Sequence, residues 1–193
     1  MKRSVLRLVA ASSFLIAIVA GHASSRPRYG GTVRVLLRDR VNTLDPQGDE
    51  EHTAARDRVS ALIFETLTQM DALGQPQPRL ATSWKADQTK RSWQFNLRLA
   101  EFHDGSTVTA QDVVASWTKI STGWKISALD KQTVVIETPA PVYHLPEMLA
   151  LPKFAVVKRN PDNTIVGTGP YKISDWRPGE RVTLAANRHL TRR

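Results

Sequence analysis

The sequence has 193 residues, of which 41% are hydrophobic and 23% charged, a composition typical of a folded globular protein rather than a disordered one. It contains no cysteine, which excludes disulfides, thiol catalysis and cysteine-based metal sites. The formal net charge is +9, but the basic residues are scattered and form no nucleic-acid-binding motif, so we expect no nucleic-acid partner.

Residues 1–23 are typical of a secretory signal peptide. Lys2, Arg3 and Arg7 precede an apolar run at residues 9–20, and Ala23 ends a cleavage site of small residues. This run is short for a membrane span, because a spanning helix needs about 20 apolar residues. We therefore expect cleavage after Ala23, a periplasmic location and no transmembrane segment in the mature chain. An uncleaved membrane anchor is the alternative.

The next part of the chain predicts a strand, a loop and a helix. Residues 32–37 form an apolar strand, and residues 41–47, VNTLDPQ, follow as an ordered loop in which Pro46 favours extended backbone. The helix is expected over residues 53–67, and its apolar positions recur with helical spacing at Val59, Leu62, Ile63 and Leu67. A short strand and turn at 70–75 and an extended Pro-Gln-Pro segment come next.

The stretch 93–117, WQFNLRLAEFHDGSTVTAQDVVASW, predicts a strand, a tight turn and a capped helix. Polar residues alternate with Trp93, Phe95 and Leu97, which is the period of a half-buried strand. Asp104-Gly105 indicates a turn, and Thr109 precedes Asp112 with the spacing of a capping box. One apolar helix face follows, formed by Ala110, Val113, Val114, Trp117 and Ile120.

The remaining elements alternate between short strands and one short helix. They are strands at 126–129 and 133–137, a helix at 142–151 kinked at Pro146, a buried strand at 154–157 and a hairpin at 171–184.

Five blocks of this sequence resemble, in order, the family 5 extracellular solute-binding proteins, the peptide-, dipeptide- and nickel-binding receptors of bacterial ABC importers. The blocks are GTVRVLLRDRVNTLDPQ, LIFETLTQMDALGQPQPRLATSW, FHDGSTVTAQDVVASW, ISALDKQTVVIETPAPV and VGTGPYKISDWRPGERVTLAAN. Together they cover most of residues 31–187. Two departures stand out: the insert usual between Ile120 and Ile126 is nearly absent, and the family continues beyond Asn187 with a large second lobe.

The resemblance implies an α/β fold of the periplasmic binding-protein type II, here incomplete, with residues 24–193 as an N-terminal lobe built on a mixed sheet. It also implies a substrate-binding component of an ABC importer that captures peptides or other small solutes for a permease at the inner membrane. No catalysis, cofactor or metal is expected. The alternatives are a truncated remnant without independent ligand binding and a secreted hydrolase.

The resemblance places candidate ligand contacts at Arg40, Val41 and Asn42, just before the Leu-Asp-Pro loop. An arginine there would favour a carboxylate or phosphate on the ligand, because its planar guanidinium matches those groups. An exposed surface arginine without a ligand is the alternative reading of Arg40.

Four other patterns admit a functional and a structural interpretation. His103-Asp104 fits a general base or a structural turn, and Asp49-Glu50-Glu51-His52 fits a metal site or a solvated helix start. Gly167-Thr168-Gly169 fits phosphate binding or a tight backbone crossing between lobes, although the lysine of a P-loop is missing. Trp84, Trp93 and Trp117 fit the lining of a site for a sugar or an aromatic ligand, or core packing.

Overall fold

The computed structural model describes residues 33–48, 53–120 and 122–187. The predicted signal peptide and the acidic run at residues 49–52 lie outside the described residues. The chain divides into two units, Met1–Val35 and Leu36–Arg193. In the first unit the described residues, 33–35, are exposed and form no strand.

The second unit contains three α-helices, two 3-10 turns and ten strands within its described residues. The helices are α1 (Ala54–Ile63), α2 (Ala110–Ser116) and α3 (Leu145–Met148), and the 3-10 turns are Trp117–Lys119 and Pro152–Phe154. The first six strands are β1 (Thr68–Met70), β2 (Pro76–Pro78), β3 (Ala81–Ala86), β4 (Ser92–Leu97), β5 (Lys125–Ala128) and β6 (Thr133–Glu137). The last four are β7 (Lys158–Arg159), β8 (Ile165–Val166), β9 (Tyr171–Arg177) and β10 (Arg181–Ala186).

The largest sheet has four strands in the order β3-β4-β6-β5. Trp93 lies opposite Ile136 and Phe95 opposite Val134, so the alternating apolar residues of neighbouring strands share one buried face. The other pairs are β1-β2, β7-β8 and β9-β10. Every pair is antiparallel in the described part of the chain, whereas a mixed sheet was expected from the sequence.

The buried face of the four-stranded sheet packs against α2 and the segment that contains α3, forming the larger core. Trp117 contributes the largest fully buried side chain, and its indole Nε1 donates a hydrogen bond to the carbonyl of Phe154 at 3.1 Å. The two rings meet edge to face with centroids 5.6 Å apart.

A second, smaller core lies between α1 and the β9-β10 hairpin. Its buried members are Val41, Leu44, Ala55, Val59, Ile63, Phe64, Ala155 and Val157. Side chains of the hairpin that pack on this core remain partly exposed, including Ile173, Trp176, Val182 and Leu184.

One predicted strand and the predicted end of the first helix are wrong. The described residues 33–37 of the first predicted strand form no strand, because they pair with none of the described strands and their backbone groups therefore have no ladder partner. The first helix ends at Ile63 rather than at Leu67, since Phe64 adopts extended backbone and the carbonyl of Glu65 accepts a hydrogen bond from the amide of Val156 at 2.8 Å. Because Glu65 forms this bridge, the chain does not continue as a helix beyond Ile63.

Two elements after residue 140 also differ in detail from the prediction. Pro146 lies in the first turn of α3 and does not kink it, because the amide that proline lacks has no helical partner at that position. Residues 154–157 are buried as predicted, but Phe154 belongs to a 3-10 turn and Val156 forms a single bridge with Glu65 instead of a strand.

The strand, turn and helix predicted at 93–117 are confirmed. Gly105 adopts a positive φ of 86° in the turn. The capping box is complete: the Asp112 amide donates to Thr109 Oγ1 at 3.3 Å, and the Thr109 amide donates to Asp112 Oδ2 at 2.8 Å.

Replacing Thr109 with alanine should lower the free energy of unfolding by ~1 kcal/mol, because the Asp112 amide loses its side-chain acceptor. Thr118→Ala is the matched control, since Thr118 is exposed and follows the same helix, and it should change stability by less than ~0.5 kcal/mol. Urea denaturation followed by circular dichroism measures both. Equal losses in the two variants would contradict a specific role for the cap.

Candidate functional site

The three predicted ligand-contact residues lie next to the turn of the β9-β10 hairpin. The amide of Gly179 donates a hydrogen bond to the carbonyl of Val41 at 2.9 Å, which fixes the segment to the hairpin. The side chain of Val41 is buried in the smaller core, whereas Arg40 and Asn42 are exposed. Val41 therefore anchors the backbone, and Arg40 and Asn42 are the side chains of this segment that an external molecule can reach.

The loop that follows is held by an arginine from a distant part of the sequence. Arg159 Nη2 lies 2.8 Å and 2.9 Å from the two carboxylate oxygens of Asp45 and 2.7 Å from Gln47 Oε1. Asp45 and Arg159 are 114 positions apart, so the sequence contained no local signal for this pair. The contact fixes the loop against β7, because all three side chains are partly buried.

Gln47 also connects the loop to α2. Its Nε2 donates to the carbonyl of Ala155 at 2.9 Å and to Ser116 Oγ at 3.3 Å. The same Ser116 oxygen accepts a hydrogen bond from the Val157 amide at 2.9 Å. The loop thus belongs to a buried polar network that includes α2 and the segment before β7, which restricts its motion.

A third anchor comes from α1. Arg56 is 2% exposed, and its Nη2 donates hydrogen bonds to the carbonyl of Asp45 and, at 3.3 Å, to the carbonyl of Gly48. A buried guanidinium needs such acceptors, because an unsatisfied buried charge is costly. Arg56, Ser116 and Arg159 therefore position the loop that follows the candidate residues, and the sequence alone does not identify any of the three.

His103 and Asp104 occupy a structural turn. His103 Nε2 lies 2.9 Å from the carbonyl of Gly169, and the His103 amide donates to the carbonyl of Gly167 at 2.9 Å. Burial lowers the pKa of His103, although the hydrogen bond to Gly169 acts in the opposite direction. One of the two ring nitrogens and the His103 amide are thus engaged with the backbone, which favours the structural interpretation of this pair.

Asp104 makes its strongest contacts with Lys158 and Ser106. Lys158 Nζ lies 2.6 Å from Asp104 Oδ2, and Ser106 Oγ lies 2.6 Å from Asp104 Oδ1. Partial burial raises the pKa of Asp104, but the hydrogen bonds from Lys158 and Ser106 outweigh it and lower the pKa from 3.8 to about 2.

This lowered pKa predicts a pH dependence of stability. Because the folded-state pKa lies below the unfolded one, the stabilisation is present above 3.8 and is lost as the pH falls toward about 2. Asp104→Asn should remove it, so the stability difference between wild type and variant should shrink between these two pH values. Urea titrations across this range measure the difference, and a constant gap would contradict the assignment.

Gly167 and Gly169 form a tight backbone crossing, and the segment that they cross is the end of α1. The amide of Gly169 donates to the carbonyl of Ile63 at 2.8 Å. A Cβ at Gly169 would lie 2.6 Å from the carbonyl carbon of Ile63, closer than real Cβ contacts. The glycines thus permit two backbone segments to touch.

The remaining candidates give no additional site in the part of the chain that the structure describes. Trp93 and Trp117 are 6% and 2% exposed and belong to the larger core, with Trp84 packed against it. Among the described residues no group of three or more histidine or acidic side chains is placed to hold a metal ion. The described helices are also too short or too polar to span a bilayer.

Comparison with known proteins gives consistent likenesses. The sequence profile of the bacterial extracellular solute-binding proteins, family 5 Middle, matches residues 75–191. A probable peptide ABC transporter periplasmic-binding protein of Sinorhizobium fredii is 30% identical over 179 residues, which cover 81% of this chain and 33% of that protein. The periplasmic oligopeptide-binding protein OppA of Salmonella typhimurium is 29% identical over 230 residues, which cover 92% of this chain and 41% of that protein.

Two solved structures resemble this fold. The murein tripeptide binding protein MppA of Escherichia coli gives a TM-score of 0.68 at 25% identity, with 79% of this chain and 37% of that chain covered. The binding protein AgaA of A. tumefaciens R10, solved with agropinic acid, gives 0.68 at 27% identity, covering 78% and 34%. The chain thus spans about a third to two fifths of the length of these relatives.

Proposed function

Because the chain belongs to the bacterial extracellular solute-binding proteins of family 5, we propose that it is a substrate-binding component of an ABC importer and that its ligands are peptides. It captures them in the periplasm, without catalysis, for a permease at the inner membrane. The profile match over residues 75–191 carries this proposal, since it covers more than half of the chain. The curated relatives named above are binding proteins rather than enzymes, and their names specify peptides.

The geometry of the anchored loop also supports the proposal. A binding site needs side chains held in place before the ligand arrives, because ordering them on binding reduces affinity. Arg159, Gln47 and Arg56 fix the loop directly after the exposed Arg40 and Asn42. In this proposal the guanidinium of Arg40 pairs with a carboxylate of the peptide, which its donor geometry favours.

Calorimetry of the full chain with a di- and oligopeptide library should detect peptide binding that is weaker than micromolar. We expect weak binding by these 193 residues because they match only about a third to two fifths of the length of the relatives, so fewer contacts exclude water from the ligand. Arg40→Ala should weaken the interaction about tenfold if a charge-assisted hydrogen bond is lost. Arg58→Ala is the matched control and should have no effect, because it removes an exposed arginine that lies on α1 and not in the candidate segment.

The alternatives give different results in the same experiment. A remnant without independent binding shows no saturable heat with any peptide, and a secreted hydrolase releases cleavage products that mass spectrometry detects. Micromolar or tighter binding would contradict the expected weakness and would mean that these residues suffice as a receptor. Equal effects of Arg40→Ala and Arg58→Ala would refute the assigned contact at Arg40.

A further inference from the structure

A cavity of about 170 Å³ lies beside the second half of α1. It is formed by α1, β1 and the segment between α3 and the second 3-10 turn, and it does not include Arg40, Val41 or Asn42. Its apolar lining consists of Ala61, Phe64, Met70, Ala150, Pro152 and Ala155. Ala61, Gln69 and Met70 are exposed, so the cavity opens to solvent on their side.

The polar lining of the cavity consists of Ser60, Thr66, Gln69 and Arg79. Ser60 is 2% exposed, and its hydroxyl has no hydrogen-bond partner within the described residues. Buried polar groups are nearly always paired, so an unpaired hydroxyl in a cavity wall requires an explanation. A bound molecule with a polar group supplies one.

The charge next to the cavity is positive. Glu65 is shared between two guanidinium groups: Arg79 Nε lies 3.4 Å from Glu65 Oε1, and Arg98 Nη2 lies 2.8 Å from Glu65 Oε2. One carboxylate thus neutralises one of two cations. Arg79 Nη1 donates to Gln69 Oε1 at 3.2 Å, whereas the buried Nε, although it lies 3.4 Å from Glu65 Oε1, makes no hydrogen bond within the described residues.

Held by the ion pair with Glu65 and the hydrogen bond to Gln69, the Arg79 side chain is 25% exposed and lines a cavity whose other lining is mostly apolar. This combination is typical of small-molecule sites, in which a few fixed polar groups orient an apolar ligand. The volume is close to that of an engineered apolar cavity, roughly 150 Å³, that binds benzene.

We propose that this cavity binds a small carboxylate with a short, branched or cyclic apolar tail. The carboxylate pairs with Arg79 and supplies the negative charge that Glu65 alone does not provide. The tail lies against Phe64, Met70 and Pro152. This site is independent of the proposed peptide function, since it shares none of the three predicted contact residues.

The test is an NMR titration of the full ¹⁵N-labelled chain with isovalerate and, as the uncharged control of equal shape, isovaleramide. Isovalerate should shift the amides that line the cavity saturably, and isovaleramide should bind about tenfold more weakly because it lacks the charge. Arg79→Gln should remove this preference, whereas Arg91→Gln, which changes an exposed arginine outside the cavity, should preserve it.

Ala61→Leu should block both compounds, because the larger side chain occupies the open side of the cavity. Ala54→Leu, on an exposed position of the same helix outside the cavity, should leave both unchanged. The Ala61 variant and the acid-amide comparison decide the question even if Arg79→Gln impairs folding. Equal affinity for acid and amide, binding unaffected by Ala61→Leu, or no saturable shift at millimolar isovalerate would overturn the proposal.

Discussion

Replacing Trp117 with alanine should lower the free energy of unfolding by ~3–5 kcal/mol. Its side chain is 2% exposed and packs at the centre of the larger core, edge to face with Phe154. The substitution leaves a cavity that the neighbouring side chains cannot fill, and it also removes the donor to the Phe154 carbonyl. A loss of this size is a large share of the ~5–15 kcal/mol that stabilises a typical domain.

Urea denaturation followed by far-ultraviolet circular dichroism measures this loss without relying on tryptophan fluorescence. Trp117→Phe separates the hydrogen bond from the ring volume, and Trp124→Ala is the control, because Trp124 stacks on the same Phe154 but is only half-buried. Trp124→Ala should lower the free energy of unfolding by less than Trp117→Ala does. An unchanged midpoint in Trp117→Ala, together with lost ligand binding, would show that the ring is a ligand platform rather than core.

Gly167→Ala should lower the free energy of unfolding by about 3 kcal/mol or more, at the upper end of what overpacking costs. An added Cβ would overlap the carbonyl oxygen of Ile63 and lie 2.7 Å from Cδ1 of Phe64. The backbone cannot shift easily, because two hydrogen bonds hold it. The carbonyl of Ile63 accepts one from the Gly169 amide, and the carbonyl of Gly167 accepts one from the His103 amide. The variant must therefore lose hydrogen bonds or displace the end of α1.

Thermal unfolding by circular dichroism tests this prediction, and Gly48→Ala is the matched control. At Gly48 the nearest atom to an added Cβ is 3.4 Å away, an ordinary contact, so we expect a change within ~0.5 kcal/mol. A Gly167→Ala variant without a cooperative transition would agree with the prediction. A loss below ~1 kcal/mol would contradict it, and would mean that the crossing segment relaxes freely.

The sequence determined the elements whose signals are local. The alternation of Trp93, Phe95 and Leu97 predicted β4, and the spacing of Thr109 and Asp112 predicted the start of α2, because both patterns act between residues two or three positions apart. The hairpin of β9 and β10 followed from its alternation and from Gly179. The family and the type II α/β fold, predicted from five short blocks, are confirmed by the profile match and by the solved relatives.

The sequence alone could not show where these elements meet. Arg159 reaches Asp45 across 114 positions, and α1 ends at Ile63 because Glu65 bridges to Val156, not because of a stop signal within the helix. The same holds for the contact of Gly169 with Ile63. Contacts over such separations, whether between backbone groups or side chains, leave no periodic pattern in a single sequence, since they depend on how the packed cores orient the chain. Tertiary structure alone therefore decided which polar groups anchor the candidate loop and where the cavity beside α1 forms.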